Sequence, residues 1–187
     1  MKSHRHQRKR PQGWEYSLLI KAVFAELEAE GIETDLVQLH GKALEPCKAC
    51  FGCGGKRQCV VKTDYFNECF AKMVEADGIV LGSCLFRRCY GRDEGFPRAR
   101  GRRRGDESGY APAQGWGLRS GGAARGRPAA VDTMNHFLLN KEVIVVGSTY
   151  WNMAYGRDAG DVLNDAEGMA NMRNLGQNMA FVLKKIR

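Results

Sequence analysis

Residues 64–83, DYFNECFAKMVEADGIVLGS, place a helical pattern directly before a short apolar strand. Four apolar residues recur at helical spacing: Phe66, Phe70, Met73 and Val74. The run GIVL at residues 78–81 follows and ends at Gly82 and Ser83. A helix that leads into a buried strand is the repeating unit of parallel sheets. This stretch therefore predicts an α/β fold.

The same alternation extends to both sides of this stretch. The apolar spacing predicts helices over residues 17–30, 131–140 and 165–185, and strands over residues 33–39 and 143–146. Ser17 is the expected N-cap of the first helix, and Gly31 lies just past its end. The Met-rich stripe of the last helix is interpreted as core, because unbranched Met fills irregular gaps between a helix and a sheet.

The net charge of +8 is concentrated in two stretches. Residues 1–16 hold five Lys and Arg against one Glu, and residues 84–128 hold eleven Arg against four acidic residues. No apolar run approaches the roughly 18 to 20 residues that cross a bilayer, and residues 1–16 lack the apolar segment of a secretory signal. We expect a single domain over residues 1–187, irregular in both basic stretches, cytoplasmic and without a membrane partner.

Four of the seven cysteines form one compact motif, CKACFGCGGKRQC. They are Cys47, Cys50, Cys53 and Cys59. Short spacers bring thiolates around one site, and the intervening glycines let the backbone wrap tightly and aim amides at the sulfurs. Four soft ligands suit a [4Fe-4S] cluster. A zinc ion and thiols without a metal are the alternatives, although zinc motifs usually present two CxxC pairs separated by a longer loop.

Several motifs together resemble the iron-sulfur flavoproteins within the NADPH-dependent FMN reductase family. The motifs are residues 46–50 with Cys53 and Cys59, Asp64, residues 76–83, residues 146–151 (VGSTYW) and residues 165–176. The resemblance covers residues 17–83 and 129–187. It implies a flavodoxin-like, three-layer fold with a parallel sheet that binds FMN at its C-terminal edge.

The resemblance also implies a function. Members of the family accept electrons at FMN from NAD(P)H or a ferredoxin and pass them through the cluster, commonly as homo-oligomers. Ser83 resembles the serine that opens the family's flavin-ring loop, and Tyr150 and Trp151 follow a strand at the ligand-bearing edge. These three are candidate FMN contacts, although Ser83 also fits an ordinary strand end and the aromatic pair fits a core or interface. No catalytic residue is identified.

The resemblance breaks at both basic stretches. Residues 4–16 contain neither the family's first apolar strand nor its phosphate loop, and residues 84–87 (CLFR) replace its flavin-ring loop. We therefore expect a fold whose first strand and central segment are degraded. Codons allowed for residues 83–100, read one base later, can encode PVYFGDVTAGMKAFLER, and residues 10–17 can encode GRKGGNT. The sequence thus predicts compensated frameshifts; a genuine Arg/Gly-rich insert is the alternative.

Two other function classes compete with an oxidoreductase. A nucleic-acid-binding protein would use the basic stretches, but these contain little aromatic interleaving and no recognisable RNA-binding motif, so nucleic acid is not favoured. The other class is a structural protein that keeps a cluster or zinc and has lost flavin.

Overall fold

The computed structural model describes residues 14–39, 41–84, 114–120, 129–156 and 160–186. Its elements are α1 (Trp14–Ala29), α2 (Phe66–Glu75), β1 (Gly78–Cys84), β2 (Gln114–Ser120), α3 (Ala129–Leu139), a 3₁₀ helix (Asp161–Asn164) and α4 (Ala166–Ile186). The stretches that replace the family's phosphate loop and flavin-ring loop lie mostly outside the described residues, at residues 4–13 and 85–87.

The helices α1 and α3 end in the same way. At the end of α1, Gly31 has a φ of 77°, and the Ile32 amide donates to the Leu27 carbonyl oxygen. At the end of α3, Glu142 has a φ of 58°, and the Val143 amide donates to the Leu138 carbonyl oxygen. Both are Schellman endings, in which a left-handed residue turns the chain sharply. In each case an apolar residue, Ile32 or Val143, directly follows the left-handed residue.

The prediction for the start of α1 was wrong, because the helix begins at Trp14 and not after Ser17. Tyr16 packs against the core, so the apolar face of the helix extends further upstream than the notional cap. Two apolar residues of the predicted helices are exposed and not buried. Val74 is 38% exposed and Phe181 is 63% exposed, because each lies on the outer side of its helix.

A two-stranded parallel sheet forms between β1 and β2, with Gly78 opposite Gln114 and Cys84 opposite Ser120. Residues 114–120 were expected to be irregular, so that expectation does not hold for them. Ladder hydrogen bonds come from the main chain, and an Arg/Gly-rich composition does not remove them. The sheet is narrower than predicted, since residues 33–39 and 143–146, which were expected to be strands, have no ladder partner among the described residues.

The narrow sheet agrees with the strand order of the expected fold. In a doubly wound sheet of order 2-1-3-4-5, the second strand pairs with the first. Residues 33–39 would take the second place in that order, and the sequence lacks an apolar first strand to pair with them. The third and fourth places are adjacent in that order, and β1 and β2 are the two strands that do pair.

The core is built between α1 and α4. Its fully buried members include Leu19 and Val23 from α1 and Met172 and Leu175 from α4, so the predicted core role of Met172 is confirmed. Three partly buried residues from the extended segments pack on the same cluster: Leu36, Val80 and Val146. The two helices therefore form one layer against those segments. In the described ranges, no helix is both long and apolar enough to cross a bilayer.

The helices α1 and α4 approach most closely at Gly176. A Cβ atom placed there would lie 2.7 Å from Glu26 Cβ and 2.7 Å from the Val23 carbonyl oxygen. The second of these is backbone and cannot move aside without shifting α1. Glycine at residue 176 therefore fixes the distance between the two helices.

We expect Gly176→Ala to reduce the free energy of unfolding by about 2 kcal/mol, since an added methyl must separate two packed helices. Gly147→Ala is the matched control, because a Cβ there meets nothing within 4 Å. Chemical denaturation measures both. Equal stability of the two variants would show that the helices do not meet as closely as the structure has them.

Candidate cofactor site

The first turn of α2 holds the beginning of the four-cysteine loop. The Glu45 amide donates to Asp64 Oδ2 at 2.9 Å, and the Tyr65 amide donates to the Ala43 carbonyl oxygen at 3.0 Å. The Lys42 ammonium lies 4.5 Å from the centroid of the Tyr65 ring, a cation–π contact. The chain just before Cys47 is therefore attached to the helix through both its backbone and its side chains.

Asn67, also in the first turn of α2, holds the end of the loop. The Cys59 amide donates to Asn67 Oδ1 at 2.7 Å. In return, Asn67 Nδ2 donates to the carbonyl oxygens of Cys59 at 3.1 Å and Val61 at 3.0 Å. One half-buried side chain thus satisfies three main-chain groups around the fourth cysteine. Together with the contacts of Asp64 and Tyr65, it attaches both ends of the loop to one helical turn.

The backbone between the first three cysteines is bent tightly. Ala49 has a φ of 50° and Phe51 a φ of 55°, so two residues with a Cβ occupy the left-handed region on either side of Cys50. Each costs roughly 1 kcal/mol or more, and such strain is found mainly at functional sites. Gly52 allows a further close approach, because a Cβ there would lie 2.9 Å from Val60 Cγ2. Gly52, between Cys50 and Cys53, is thereby packed against Val60, the residue that follows Cys59.

Two of the four sulfurs accept hydrogen bonds from the backbone. The Ala49 amide donates to Cys47 Sγ and the Val61 amide to Cys59 Sγ, each at 3.4 Å. Amides directed at sulfur were predicted from the glycines, and the donors to Cys47 and Cys59 are the non-glycine residues Ala49 and Val61. Gly55 has a φ of 66°, in the left-handed region that favours glycine.

The four thiols fit an iron-sulfur cluster by their chemistry and not yet by their positions. All four are free cysteines; Cys47 and Cys50 are exposed, and Cys53 and Cys59 are half-buried. Within the described residues, no three His, Cys, Asp or Glu side chains stand close enough together to hold a metal ion. Thiolates repel one another and converge only around a cation, so metal binding and closure of such a loop are coupled.

Cys69 differs from the four cysteines of the loop. It lies on the inner side of α2 and is 5% exposed. Burial raises the pKa of its thiol, and the nearby Lys72 ammonium opposes this only in part. The thiol is therefore neutral at pH 7, which suits a core residue better than a metal ligand. The remaining two cysteines, Cys84 and Cys89, belong to the second basic stretch, and Cys89 lies outside the described residues.

The loop at residues 147–152 follows the extended segment 143–146 and is fastened to α4 by asparagines. Asn171, which is 3% exposed, accepts a hydrogen bond from the Thr149 hydroxyl at 2.9 Å. Its Nδ2 also donates to the Trp151 carbonyl oxygen at 3.4 Å. Two turns further along α4, Asn178 Nδ2 donates to the Gly147 carbonyl oxygen at 3.0 Å. The loop is thus held to α4 through two main-chain carbonyl groups and the Thr149 hydroxyl.

Tyr150 and Trp151 are exposed and stacked on each other. They are 61% and 51% exposed, their ring centroids are 5.9 Å apart and the planes differ by 12°. Ser83 is half-buried near the end of β1. Val80 and Val146 pack on the same core cluster, so the segments carrying Ser83 and the aromatic pair are positioned by one surface. Planar, exposed aromatic faces suit a planar ligand such as a flavin ring.

Sequence reasoning missed the asparagines of both loops. Asn67 and Asn171 make the hydrogen bonds that position the cysteine loop and the aromatic loop. A signal was available for Asn171, because the apolar pattern of α4 is interrupted there by a polar residue on the buried face. Asp165, directly before α4, caps this helix, because its Oδ1 accepts a hydrogen bond from the Gly168 amide at 3.0 Å.

The cysteine loop has a basic, partly apolar surface. Residues 47–63 carry four basic side chains and no acidic one: Lys48, Lys56, Arg57 and Lys62. All four are exposed, and Phe51 between them is 69% exposed. Lys48 forms an ion pair with Glu45 at 3.3 Å, outside the loop itself. The surface around the four thiols is thus positively charged, in contrast to the mildly acidic remainder of the described chain.

Comparison with known proteins points in one direction. The family model described as NADPH-dependent FMN reductase matches residues 9–90. An iron-sulfur flavoprotein from Methanocaldococcus jannaschii is 32% identical over 192 residues, which cover 95% of this chain and 94% of the relative. An iron-sulfur flavoprotein from Archaeoglobus fulgidus is 25% identical over 173 residues, 86% of each chain. No solved structure matches.

A third relative, an iron-sulfur flavoprotein from Methanosarcina thermophila, is 34% identical over 68 residues, 36% of this chain and 35% of that protein. The relative from Methanocaldococcus jannaschii covers 95% of this chain, and its 32% identity indicates common descent. The chain therefore belongs to the iron-sulfur flavoprotein family, a flavin-dependent redox family with a flavodoxin-like α/β fold.

Proposed function

We propose that this protein is an FMN-dependent oxidoreductase that takes electrons from NAD(P)H or a ferredoxin and transfers them through a [4Fe-4S] cluster in the cytoplasm. The observation that carries the proposal is the loop of four free thiols, attached at both ends to α2 and strained around Cys50. Such a loop is costly to build for structure alone. Its cost is offset when a metal cluster is bound.

Cys47, Cys50, Cys53 and Cys59 would hold the cluster, which supplies one-electron transfer when bound. The backbone amides of Ala49 and Val61 would stabilise its negative charge through Cys47 and Cys59. Zinc remains the competing occupant of four thiolates. The spacing favours iron, because only two residues separate Cys47 from Cys50 and Cys50 from Cys53.

The flavin-binding edge would use Ser83 and the exposed pair Tyr150 and Trp151. FMN supplies the hydride chemistry when bound, and the protein positions its ring and excludes competing reactions. Asn171 holds the aromatic loop in place from the buried side. The complete fold would be a three-layer, flavodoxin-like sheet with its binding edge at the C-terminal ends of the strands, where open α/β sheets bind ligands.

The basic surface of the cysteine loop favours an acidic redox partner. Lys56, Arg57 and Lys62 surround the thiols with positive charge, and Phe51 offers an exposed apolar contact. Complementary charge accelerates encounter between redox proteins, whose interfaces are small and short-lived. A ferredoxin-like protein fits this surface better than nucleic acid, because the charge surrounds a redox site. We further propose that the protein is a homo-oligomer.

We also propose that both basic stretches arise from compensated frameshifts. The support is that the next reading frame restores family-like loops at the expected places, while residues 84–128 contain ten Gly, eleven Arg and no Lys. Sequencing both DNA strands across codons 1–20 and 80–130 tests this origin. In-frame codons that cannot encode the shifted peptides would exclude it.

The first prediction concerns the metal. Anaerobically reconstituted protein should contain about four iron atoms per chain, as a single [4Fe-4S] cluster requires. Cys50→Ser should remove most of this iron, and Cys69→Ser should retain it, because Cys69 lies outside the four-cysteine motif and its side chain is buried. Metal analysis of the three proteins decides the matter. Stoichiometric zinc without iron would contradict the assignment.

The second prediction concerns FMN. The present chain lacks the sequence of a phosphate-binding loop. The backbone amides of such a loop donate the hydrogen bonds that hold a phosphate. We expect it to bind FMN weakly or not at all. A chain that carries the shifted peptides should bind about one FMN and oxidise NAD(P)H or accept electrons from ferredoxin. Isothermal titration with FMN compares them, and equal affinities would show that the missing loops are not required.

A further inference from the structure

Asn67 occupies an unusual position relative to the cysteines. It lies on α2, outside the four-cysteine motif, yet it hydrogen-bonds to the main chain of Cys59 on both sides of that residue. A third bond reaches the Val61 carbonyl oxygen. The side-chain amide of Asn67 therefore both accepts from and donates to the main chain of residues 59–61, as the backbone of a neighbouring strand would.

The clamp has a consequence for the Cys59 sulfur. The Val61 amide donates to Cys59 Sγ at 3.4 Å, across the turn whose carbonyl oxygens are held by Asn67. The Val61 N–H belongs to the peptide group between Val60 and Val61. Asn67 holds the peptide groups on both sides of it, through the carbonyl oxygens of Cys59 and Val61, and so restrains the direction of the Val61 N–H. A 3.4 Å bond to sulfur is weak and easily lost if that peptide rotates. The bond to the sulfur thus depends on a side chain that does not touch it.

We propose that Asn67 is a positioning residue that holds Cys59 and the Val61 amide in the arrangement that sets the potential and retention of the cluster. This inference rests on the proposed function, since it assumes that Cys59 is a cluster ligand. Hydrogen bonds to ligand sulfurs stabilise the more negative, reduced cluster and raise its potential. Outer-shell partners of metal ligands commonly change metal affinity by 10- to 100-fold.

Two variants separate the clamp from the sulfur bond. Asn67→Ala removes the three hydrogen bonds without adding charge. Val61→Pro removes the N–H that donates to Cys59 Sγ and leaves the carbonyl oxygen that accepts from Asn67. Asn140→Ala is the matched control, because it makes the same chemical change at an exposed residue after α3. Thermal unfolding confirms that each variant folds.

The first measurement uses the reconstituted full chain. We expect both Asn67→Ala and Val61→Pro to lower the midpoint potential of the cluster, and Asn67→Ala to release iron to a chelator about tenfold faster. Asn140→Ala should match the unsubstituted chain. An unchanged potential and release rate in Asn67→Ala would overturn the inference. A role in folding alone would lower the melting temperature without moving the potential, and that result also contradicts it.

The second measurement uses the metal-free full chain and does not depend on the cluster. Site-resolved alkylation with iodoacetamide compares Cys59 with Cys50, which serves as the internal reference. Loss of the clamp should raise the ratio of Cys59 to Cys50 labelling about tenfold, as expected for the loss of hydrogen bonds that hold a half-buried segment. An unchanged ratio would overturn the clamp. If the unsubstituted chain binds no iron but this ratio rises, the proposed function fails and the clamp stands.

Discussion

The contact between α1 and α4 at Gly176 is the constraint on which the rest of the structure depends. Its glycine lets two backbones approach, and the core between them provides the surface on which Leu36, Val80 and Val146 rest. Two of these three residues are followed within a few positions by a candidate flavin contact. A small change in the helix spacing would therefore move both β1 and the aromatic loop.

The cysteine loop depends on a different element, the first turn of α2. Asp64 and Asn67 attach its two ends, so the loop can bend through left-handed residues in the middle without losing its anchoring. The three hydrogen bonds of Asn67, worth roughly 1 kcal/mol each, are similar in size to the strain at Ala49 and Phe51. The anchored loop thus remains available to close around a metal.

Periodicity predicted the helices and β1 because apolar spacing reports directly on which residues face a core. It could not predict that residues 33–39 have no ladder partner in the part of the chain that the structure describes, because strand pairing depends on a distant partner. Residues 114–120 show the opposite case, since composition concealed a main-chain ladder. The cysteine motif was visible from spacing alone, but Asn67 was not, because a clamp is defined by geometry across eight residues and carries no motif.

The central claim is that the four-cysteine loop binds an iron-sulfur cluster even though the flavin loops are incomplete. The visible spectrum of the anaerobically reconstituted chain tests it directly. The account predicts a broad absorption near roughly 400 nm that bleaches on reduction, with little of the flavin pair near roughly 370 and 450 nm. A protein without visible absorption after reconstitution, or one with flavin bands alone, would contradict it.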